Sequence, residues 1–154
     1  MSARILIADD HEVLREGLRS LLGKSRSDWE ICGEATNGDE AIRFVQELKP
    51  DLLILDITMP GLSGLEASQR LRKLGIRIPV LIFTTHHSDR LSVEVQQAGG
   101  QGYVLKSQAA RNLVLAIDTL LAGGTFFGAP PEKETTDDKP KPRISFCRGL
   151  AFAF

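Results

Sequence analysis

The chain is poor in cysteine, with only two in 154 residues, and this scarcity limits how the fold can be stabilised. Cys32 and Cys147 lie far apart in sequence and match no metal-binding or redox spacing. Two such cysteines suit a reducing compartment better than a disulfide scaffold, because disulfide scaffolds use several cysteines in a short secreted chain.

Long hydrophobic runs are also missing from the sequence. No apolar stretch approaches the roughly 20 residues that a membrane-spanning helix needs. The first ten residues, MSARILIADD, contain a short apolar stretch that runs into two acids, unlike a secretory signal. We therefore expect a cytoplasmic protein that has no membrane partner.

The chain lacks an excess of charge of either sign. Nineteen Lys and Arg face twenty Asp and Glu, which gives a net charge of −1 and excludes a chain-wide basic surface for nucleic acid. The hydrophobic share of 42% and the charged share of 25% are ordinary for a globular protein, so a packed core is expected and general disorder is not.

Composition divides the chain into a patterned body and an irregular end. Residues 1–124 carry regular apolar patterning, whereas residues 129–143 hold four prolines, mixed charges and no large apolar side chain. Residues 144–154 turn apolar again. We predict one domain over 1–124 and a linker with an irregular tail over 125–154, which is too short for a second domain of about 50 residues.

The body alternates strand and helix patterns five times. Three of the strands are almost continuously apolar, as in parallel strands that are covered on both faces, while the second alternates with charge and is predicted to form a sheet edge. This pattern predicts an α/β, doubly wound sheet of five parallel strands in the flavodoxin-like order 2-1-3-4-5. The predicted strands are Arg4–Ala8, Trp29–Ala35, Asp51–Leu55, Ile78–Thr84 and Gly102–Leu105.

Each strand is followed by an apolar stripe with helical spacing. Ser63 and Glu66 have the spacing of a capping box at the start of the third helix, and the glycines at 123 and 124 are expected to end the fifth. The five stripes consist of Val13, Leu14, Leu18, Leu21 and Leu22; Ala41, Ile42, Val45 and Leu48; Leu65, Leu71 and Leu74; Leu91, Val95 and Ala98; and Leu113, Val114, Ile117, Leu120 and Leu121.

Polar residues follow the strands at the edge of the sheet where this topology places ligand sites. Asp9 and Asp10 follow the first strand and Asp56 the third, so three carboxylates converge if these strands are neighbours. Their repulsion requires a raised pKa or a bound cation, and oxygen ligands suit Mg²⁺. Together with Thr84 and Lys106 at the ends of strands 4 and 5, the set suits phosphoryl chemistry, in which a carboxylate attacks phosphorus.

Other interpretations compete with this one. A flavin site would need a phosphate-binding loop after strand 1, where the acids would instead repel phosphate. A haloacid-dehalogenase phosphatase would need a second Asp at position 58, where this chain has Thr58. Asp9 or Asp10 could instead cap the first helix. A phosphatase of related fold remains an alternative.

Several segments together resemble the receiver domain of bacterial two-component response regulators over about residues 3–124. The segments are ILIADDHEVLREGL, DLLILDITMPGLSGLEA, VLIFTTHH and GYVLK. They contain the Asp pair, the D-x-x-M-P-x-x-x-G loop, the Thr and the Lys in order. The DDH sequence at 9–11 and the Lys106-Ser107 pair are most similar to the NarL/FixJ subfamily, whose members usually carry a LuxR-type DNA-binding domain.

The resemblance implies a role for each site residue. Asp56 would accept the phosphoryl group, and Mg²⁺ would be held by Asp10, Asp56 and the Thr58 backbone carbonyl, with Asp9 nearby. The switch would consist of Lys106 on a phosphoryl oxygen, Thr84 swinging toward that group, and Tyr103 turning inward in step. Thr58 and His86 would tune the lifetime of the aspartyl phosphate.

The resemblance also implies the partners. The phosphoryl donor would be a cognate sensor histidine kinase, and the chain would be a signalling phosphoacceptor rather than an enzyme, limited to self-phosphorylation and autodephosphorylation. A homodimer is a further possible partner. DNA is expected only with an output domain, so two hypotheses stay open: a module that acts through protein contacts, or a LuxR-type transcriptional regulator whose helix-turn-helix domain is missing.

Overall fold

The computed structural model describes residues 2–85 and 87–127, and in them five strands alternate with five helices. A single 3-10 turn, Lys106–Gln108, precedes the last helix. The strands are β1 Ala3–Ala8, β2 Trp29–Ala35, β3 Leu52–Leu55, β4 Val80–Thr84 and β5 Gly102–Leu105. The helices are α1 Glu12–Ser25, α2 Gly38–Leu48, α3 Gly64–Lys73, α4 Leu91–Gln97 and α5 Ala109–Leu121.

The strands form one parallel sheet in the order β2-β1-β3-β4-β5, which confirms the predicted topology. The β1 strand pairs with β2 on one side and β3 on the other, with Ala8 opposite Ala35 and Leu55 respectively. The carboxyl ends of β1 and β3 therefore meet at one edge of the sheet, between the helices on its two faces.

Alternate side chains of the sheet enter two separate cores. One face packs against α2, α3 and α4, and the other packs against α1 and α5. Both faces are buried, which explains why β1, β3 and β4 read as continuous apolar runs rather than alternating ones. The first core includes Leu6, Leu53, Val80, Val45, Leu71 and Val95, and the second includes Ile5, Ile54, Leu81, Leu18, Leu22 and Ile117.

The prediction that Val13 and Leu74 belong to the buried stripes is wrong. Val13 is 81% exposed, because it lies on the solvent-facing stripe of α1 with Gly17 and Ser20, about 100° around the helix from Leu14. Leu74 is 54% exposed, because α3 ends at Lys73 and Leu74 only caps it. The capping box at Ser63 and Glu66 is present, with both hydrogen bonds formed.

The β5 edge of the sheet is extended by residues that were predicted to belong to the linker. Phe126 forms a parallel bridge with Gly102, donates from its backbone N–H to Gln101, and accepts from Tyr103. Phe126 is buried, and Phe127 packs against the core on the opposite face of the sheet. The folded body thus continues past the predicted boundary at 124, and the predicted tail from 128 onward lies outside the described residues.

Within the described part of the chain, none of the helices combines the length and apolar character that a membrane crossing requires.

Candidate functional site

The carboxyl ends of β1 and β3 bring Asp9 and Asp56 together, as the strand order predicts. The backbone N–H of Asp56 donates to the carbonyl of Ala8, and that of Asp9 donates to the carbonyl of Ala35, so each residue continues the ladder just past its strand. Asp9 is 2% exposed and Asp56 is 3% exposed. Two carboxylates are therefore held inside the protein at the point where the sheet opens toward solvent.

Lys106 lies between these two carboxylates. Its Nζ is 2.8 Å from Oδ2 of Asp9 and 3.3 Å from Oδ2 of Asp56, and its side chain is only 12% exposed. Asp9 Oδ2 is buried and has no well-aligned hydrogen bond among the described residues, so the lysine charge is what balances it. One ammonium cannot neutralise the three neighbouring carboxylates, and the site keeps an affinity for a further cation.

The burial of Asp56 changes its acidity. Burial raises the pKa of the Asp56 carboxyl above its usual value, and the negative charge of Asp9 adds to this effect. The Lys106 ammonium and the backbone N–H of Thr58, which donates to Asp56, act in the opposite direction. Ionised Asp56 is therefore less stable here than a carboxylate in water, and a nearby cation would stabilise it.

His11 completes the cluster, and sequence reasoning missed this contact. Its Nδ1 lies 2.9 Å from Oδ1 of Asp9 and 3.2 Å from Oδ1 of Asp10, and its backbone N–H also donates to Asp9. His11 is the N-cap residue of α1, so the expectation that Asp9 or Asp10 caps this helix is wrong. The only available signal was that His11 directly follows the two acids.

The structure of the loop after β3 shows what Gly64 and Met59 of the motif do. Gly64 begins α3 directly against the backbone of Asp56, where a Cβ at residue 64 would lie 2.0 Å from the Asp56 carbonyl oxygen. The Gly64 N–H donates to the carbonyl of Ile57, and Met59 is buried in the core below. Only glycine permits this approach, so the loop holds Asp56 in place.

Arg15 supports the acids from α1. Its Nη1 donates to the backbone carbonyl of Asp9 at 2.6 Å, and its Nε donates to Glu34 at 2.7 Å. Burial acts to raise the pKa of Glu34, but hydrogen bonds from Arg15 and Arg19 outweigh it and hold the pKa below its usual value. This linkage ties the end of β1 to α1 and β2.

The two predicted switch residues lie on neighbouring strands. Thr84 ends β4 and is fully buried, and Tyr103 on β5 is 9% exposed and belongs to the core beside α4. Tyr103 thus points inward in this structure. Thr58 is exposed in the loop after Asp56, and His86 lies outside the described residues.

The residues present fit a divalent cation. Ligand atoms of Asp9, Asp10, His11 and Asp56 all lie within 4.8 Å of one another, which is the separation expected of groups around one ion. Three of the four are carboxylates, as hard cations prefer. The doubly wound sheet, the acidic cluster and the buried lysine at its edge together define a receiver domain.

Comparison with known proteins agrees with this structural class. The response regulator receiver domain matches residues 5–118, and the chain belongs to this family. Among solved structures, a LuxR-family two-component response regulator from Aurantimonas sp. SI85-9A1 is 36% identical with a TM-score of 0.77, over 82% of this chain and 89% of that one. The NarL receiver domain from Mycobacterium tuberculosis is 28% identical with a TM-score of 0.74, over 79% and 98%.

Curated relatives are of the same type and longer. The transcriptional regulatory protein YdfI of Bacillus subtilis (strain 168) is 38% identical over 120 residues, which is 78% of this chain and 55% of that protein. The nitrate/nitrite response regulator NarL of Escherichia coli (strain K12) is 35% identical over 121 residues, or 79% and 56%. The chain spans about half the length of these relatives.

Proposed function

We propose that Asp56 accepts a phosphoryl group from the phosphohistidine of a sensor histidine kinase, in a reaction that depends on Mg²⁺. The observation that carries the proposal is the burial of Asp56 at the switch point of the sheet, with Lys106 Nζ 3.3 Å from its Oδ2. A buried carboxylate beside a fixed ammonium is arranged for attack on a phosphoryl group rather than for solvation.

The transfer follows from this geometry. An oxygen of the Asp56 carboxylate forms a bond to phosphorus as the bond from phosphorus to the kinase imidazole nitrogen breaks, and the electron pair leaves with that nitrogen. Asp56 is held for this attack by Gly64 behind it and by the Thr58 N–H. Because these groups are in place beforehand, little reorganisation is needed.

Lys106 then takes a second role. In the unphosphorylated protein its ammonium is shared between Asp9 and Asp56. After transfer, the Asp56 carboxylate has become an acyl phosphate and the phosphoryl oxygens carry the charge, so Lys106 pairs with one of them. Bound Mg²⁺, held by Asp10, Asp56 and the Thr58 carbonyl with Asp9 nearby, would neutralise charge on the phosphoryl oxygens.

Residues on the neighbouring strands β4 and β5 respond to the new charge on Asp56. Thr84 lies at the end of β4, next to β5, and its hydroxyl turns toward the phosphoryl group while Tyr103 stays packed inward. This rearrangement changes the outer surface of α4 and β5, which is where protein partners bind. We further propose that Thr58 and His86, each two residues beyond a site residue in sequence, influence the lifetime of the aspartyl phosphate.

The proposal is tested by intact-protein mass spectrometry after incubation with acetyl phosphate. We expect the mass of one phosphoryl group in the presence of Mg²⁺ and no gain after chelation. The Asp56→Asn variant should gain nothing, while Asp89→Asn, which changes an exposed carboxylate in the loop before α4, should behave as wild type. Equal mass gain in Asp56→Asn would refute the assignment.

A second function is favoured by the length of the relatives. The chain spans about half of proteins that are named as transcriptional regulators. We propose that in a longer protein this domain controls a DNA-binding domain of LuxR type. Reading the gene beyond the codon for residue 154, in all frames, tests this: a helix-turn-helix sequence supports it, and its absence leaves control through protein contacts alone.

A further inference from the structure

The position of His11 bears on which ion the acidic site binds. We propose that the His11 imidazole supplies a nitrogen ligand to the ion held by Asp10 and Asp56, so that the site favours Mn²⁺-type ions over Mg²⁺ more strongly than an all-oxygen site would. The inference rests on the metal-dependent function proposed above. Imidazole suits transition ions, whereas Mg²⁺ prefers oxygen.

The geometry separates Asp9 from the other three groups. Both of its oxygens are engaged: Oδ2 lies 2.8 Å from the Lys106 ammonium, and Oδ1 accepts from the backbone N–H of His11 and lies 2.9 Å from the His11 ring. Asp9 is also 2% exposed, while the Asp10 side chain is 32% exposed. Asp10 and His11 are therefore more accessible than Asp9 to an ion that arrives from solvent, and they lie beside Asp56, which is as buried as Asp9.

The His11 ring is positioned before any ion binds. Its Nδ1 lies 2.9 Å from Oδ1 of Asp9 and 3.2 Å from Oδ1 of Asp10, and ligand atoms of these three residues and of Asp56 all lie within 4.8 Å of one another. A neutral imidazole can offer the lone pair of one ring nitrogen to an ion while the other nitrogen carries the proton. The side chain is 66% exposed, which leaves room for an ion to approach it.

His11 would thus lie in the same place with and without the ion. Its Nδ1 is beside Asp9 and Asp10 in this structure, and with the ion it becomes a ligand beside them. The ring is kept close because His11 is the N-cap residue of α1 and its own N–H is bonded to Asp9.

The direct test is electron spin echo envelope modulation on Mn²⁺ bound to the full 154-residue chain. We expect modulation from a coordinated imidazole ¹⁴N in the wild type and in His87→Ala, which removes an exposed histidine that is not one of the four clustered ligand groups. We expect it to disappear in His11→Ala and in His11→Gln. The Gln variant keeps a polar side chain should the Ala variant fold poorly.

Affinities give a second readout. Calorimetric titration should show that His11→Gln weakens Mn²⁺ binding about tenfold, with a smaller loss for Mg²⁺. Bound Mn²⁺ without a nitrogen signal in the wild type, a signal that survives in His11→Gln, or no binding of Mn²⁺ would each overturn the inference. Phosphorylation of wild-type Asp56 with Mg²⁺ tests the proposed function separately, so a failure of one is not a failure of the other.

Discussion

At the scale of single residues, Gly64 shows how one missing side chain shapes the site. Replacing it with Ala would place a Cβ 2.0 Å from the Asp56 carbonyl oxygen, so the backbone of one or both residues must move. We expect Gly64→Ala to lower the free energy of unfolding by roughly 1–3 kcal/mol. Phosphorylation of Asp56 should fall as well, because the carboxylate is displaced. Urea denaturation and the acetyl phosphate assay measure the two effects.

Gly17 provides the matched control. It lies inside α1, and among the described residues no heavy atom beyond its own helical neighbourhood lies within 4 Å of where its Cβ would be. Gly17→Ala should therefore raise stability by roughly 0.5–1 kcal/mol, since alanine favours helix. Equal effects of the two substitutions would contradict the steric account of Gly64.

Because the pKa of Asp56 is raised in the folded protein, ionisation of this carboxyl lowers the stability of the fold. Because burial and Asp9 raise the folded-state pKa above that of the unfolded chain, the ionised carboxylate lowers stability once pH exceeds the unfolded value of about 4. The loss grows as pH rises through the folded pKa and then stays constant. We expect Asp56→Asn to raise the melting temperature in metal-free buffer at pH 7.

Two further comparisons test the electrostatic cause of this effect. The gain from Asp56→Asn should shrink as pH falls toward 4, where wild-type Asp56 becomes protonated. Added Mg²⁺ should raise the melting temperature of wild type more than that of the variant. A variant that is less stable than wild type at pH 7 without metal would argue against the account.

At the scale of elements, Arg72 joins α3 to the opposite edge of the sheet from the site. Its guanidinium donates to the carbonyls of Gly99, Ile76 and Ile78 and to the Gln101 side chain. We expect Arg72→Ala to lower the free energy of unfolding by roughly 2–3 kcal/mol in urea denaturation, because several part-buried carbonyls lose their donor together.

Lysine cannot replace this guanidinium fork, so Arg72→Lys should restore little of the lost stability. Lys73→Ala is the control, since Lys73 is the exposed neighbour on the same helix. Trp29, which is buried at the start of β2, can report unfolding by fluorescence. If Arg72→Lys matched wild type, the directional hydrogen bonds would not be what stabilises this junction.

The arrangement of the strands could be predicted from the sequence, whereas single side-chain contacts between elements could not. The strand order and the meeting of Asp9, Asp56 and Lys106 followed from apolar runs that end in polar residues, because parallel topology determines which ends meet. The contacts of His11 and Arg72 could not be predicted, since they depend on the reach of single side chains across elements. Val13 was misjudged because apolar character alone does not specify a helix face.

At the scale of the whole molecule, the folded body ends later than composition suggests. Phe126 is buried, and its backbone accepts from Tyr103 of β5 and donates to Gln101 just before that strand. It also lies against Gly102, where a Cβ would clash with it. We expect Phe126→Ala to lower the free energy of unfolding by about 2 kcal/mol, less than in a central core because the site is at an edge.

Thr125→Ala is the neighbouring control, because residue 125 is exposed. Thermal melts followed by circular dichroism would compare both variants with wild type. Unchanged stability of Phe126→Ala would place the end of the domain near 124, as composition alone predicts.

Asp56 is the residue that we propose carries the phosphoryl group. The most direct measurement is peptide mapping after acetyl phosphate treatment with Mg²⁺ and borohydride reduction, which converts an aspartyl phosphate into homoserine and marks its position. We expect homoserine at position 56 and nowhere else, and none in the absence of Mg²⁺. Homoserine at Asp9 or Asp10, with Asp56 intact, would contradict it.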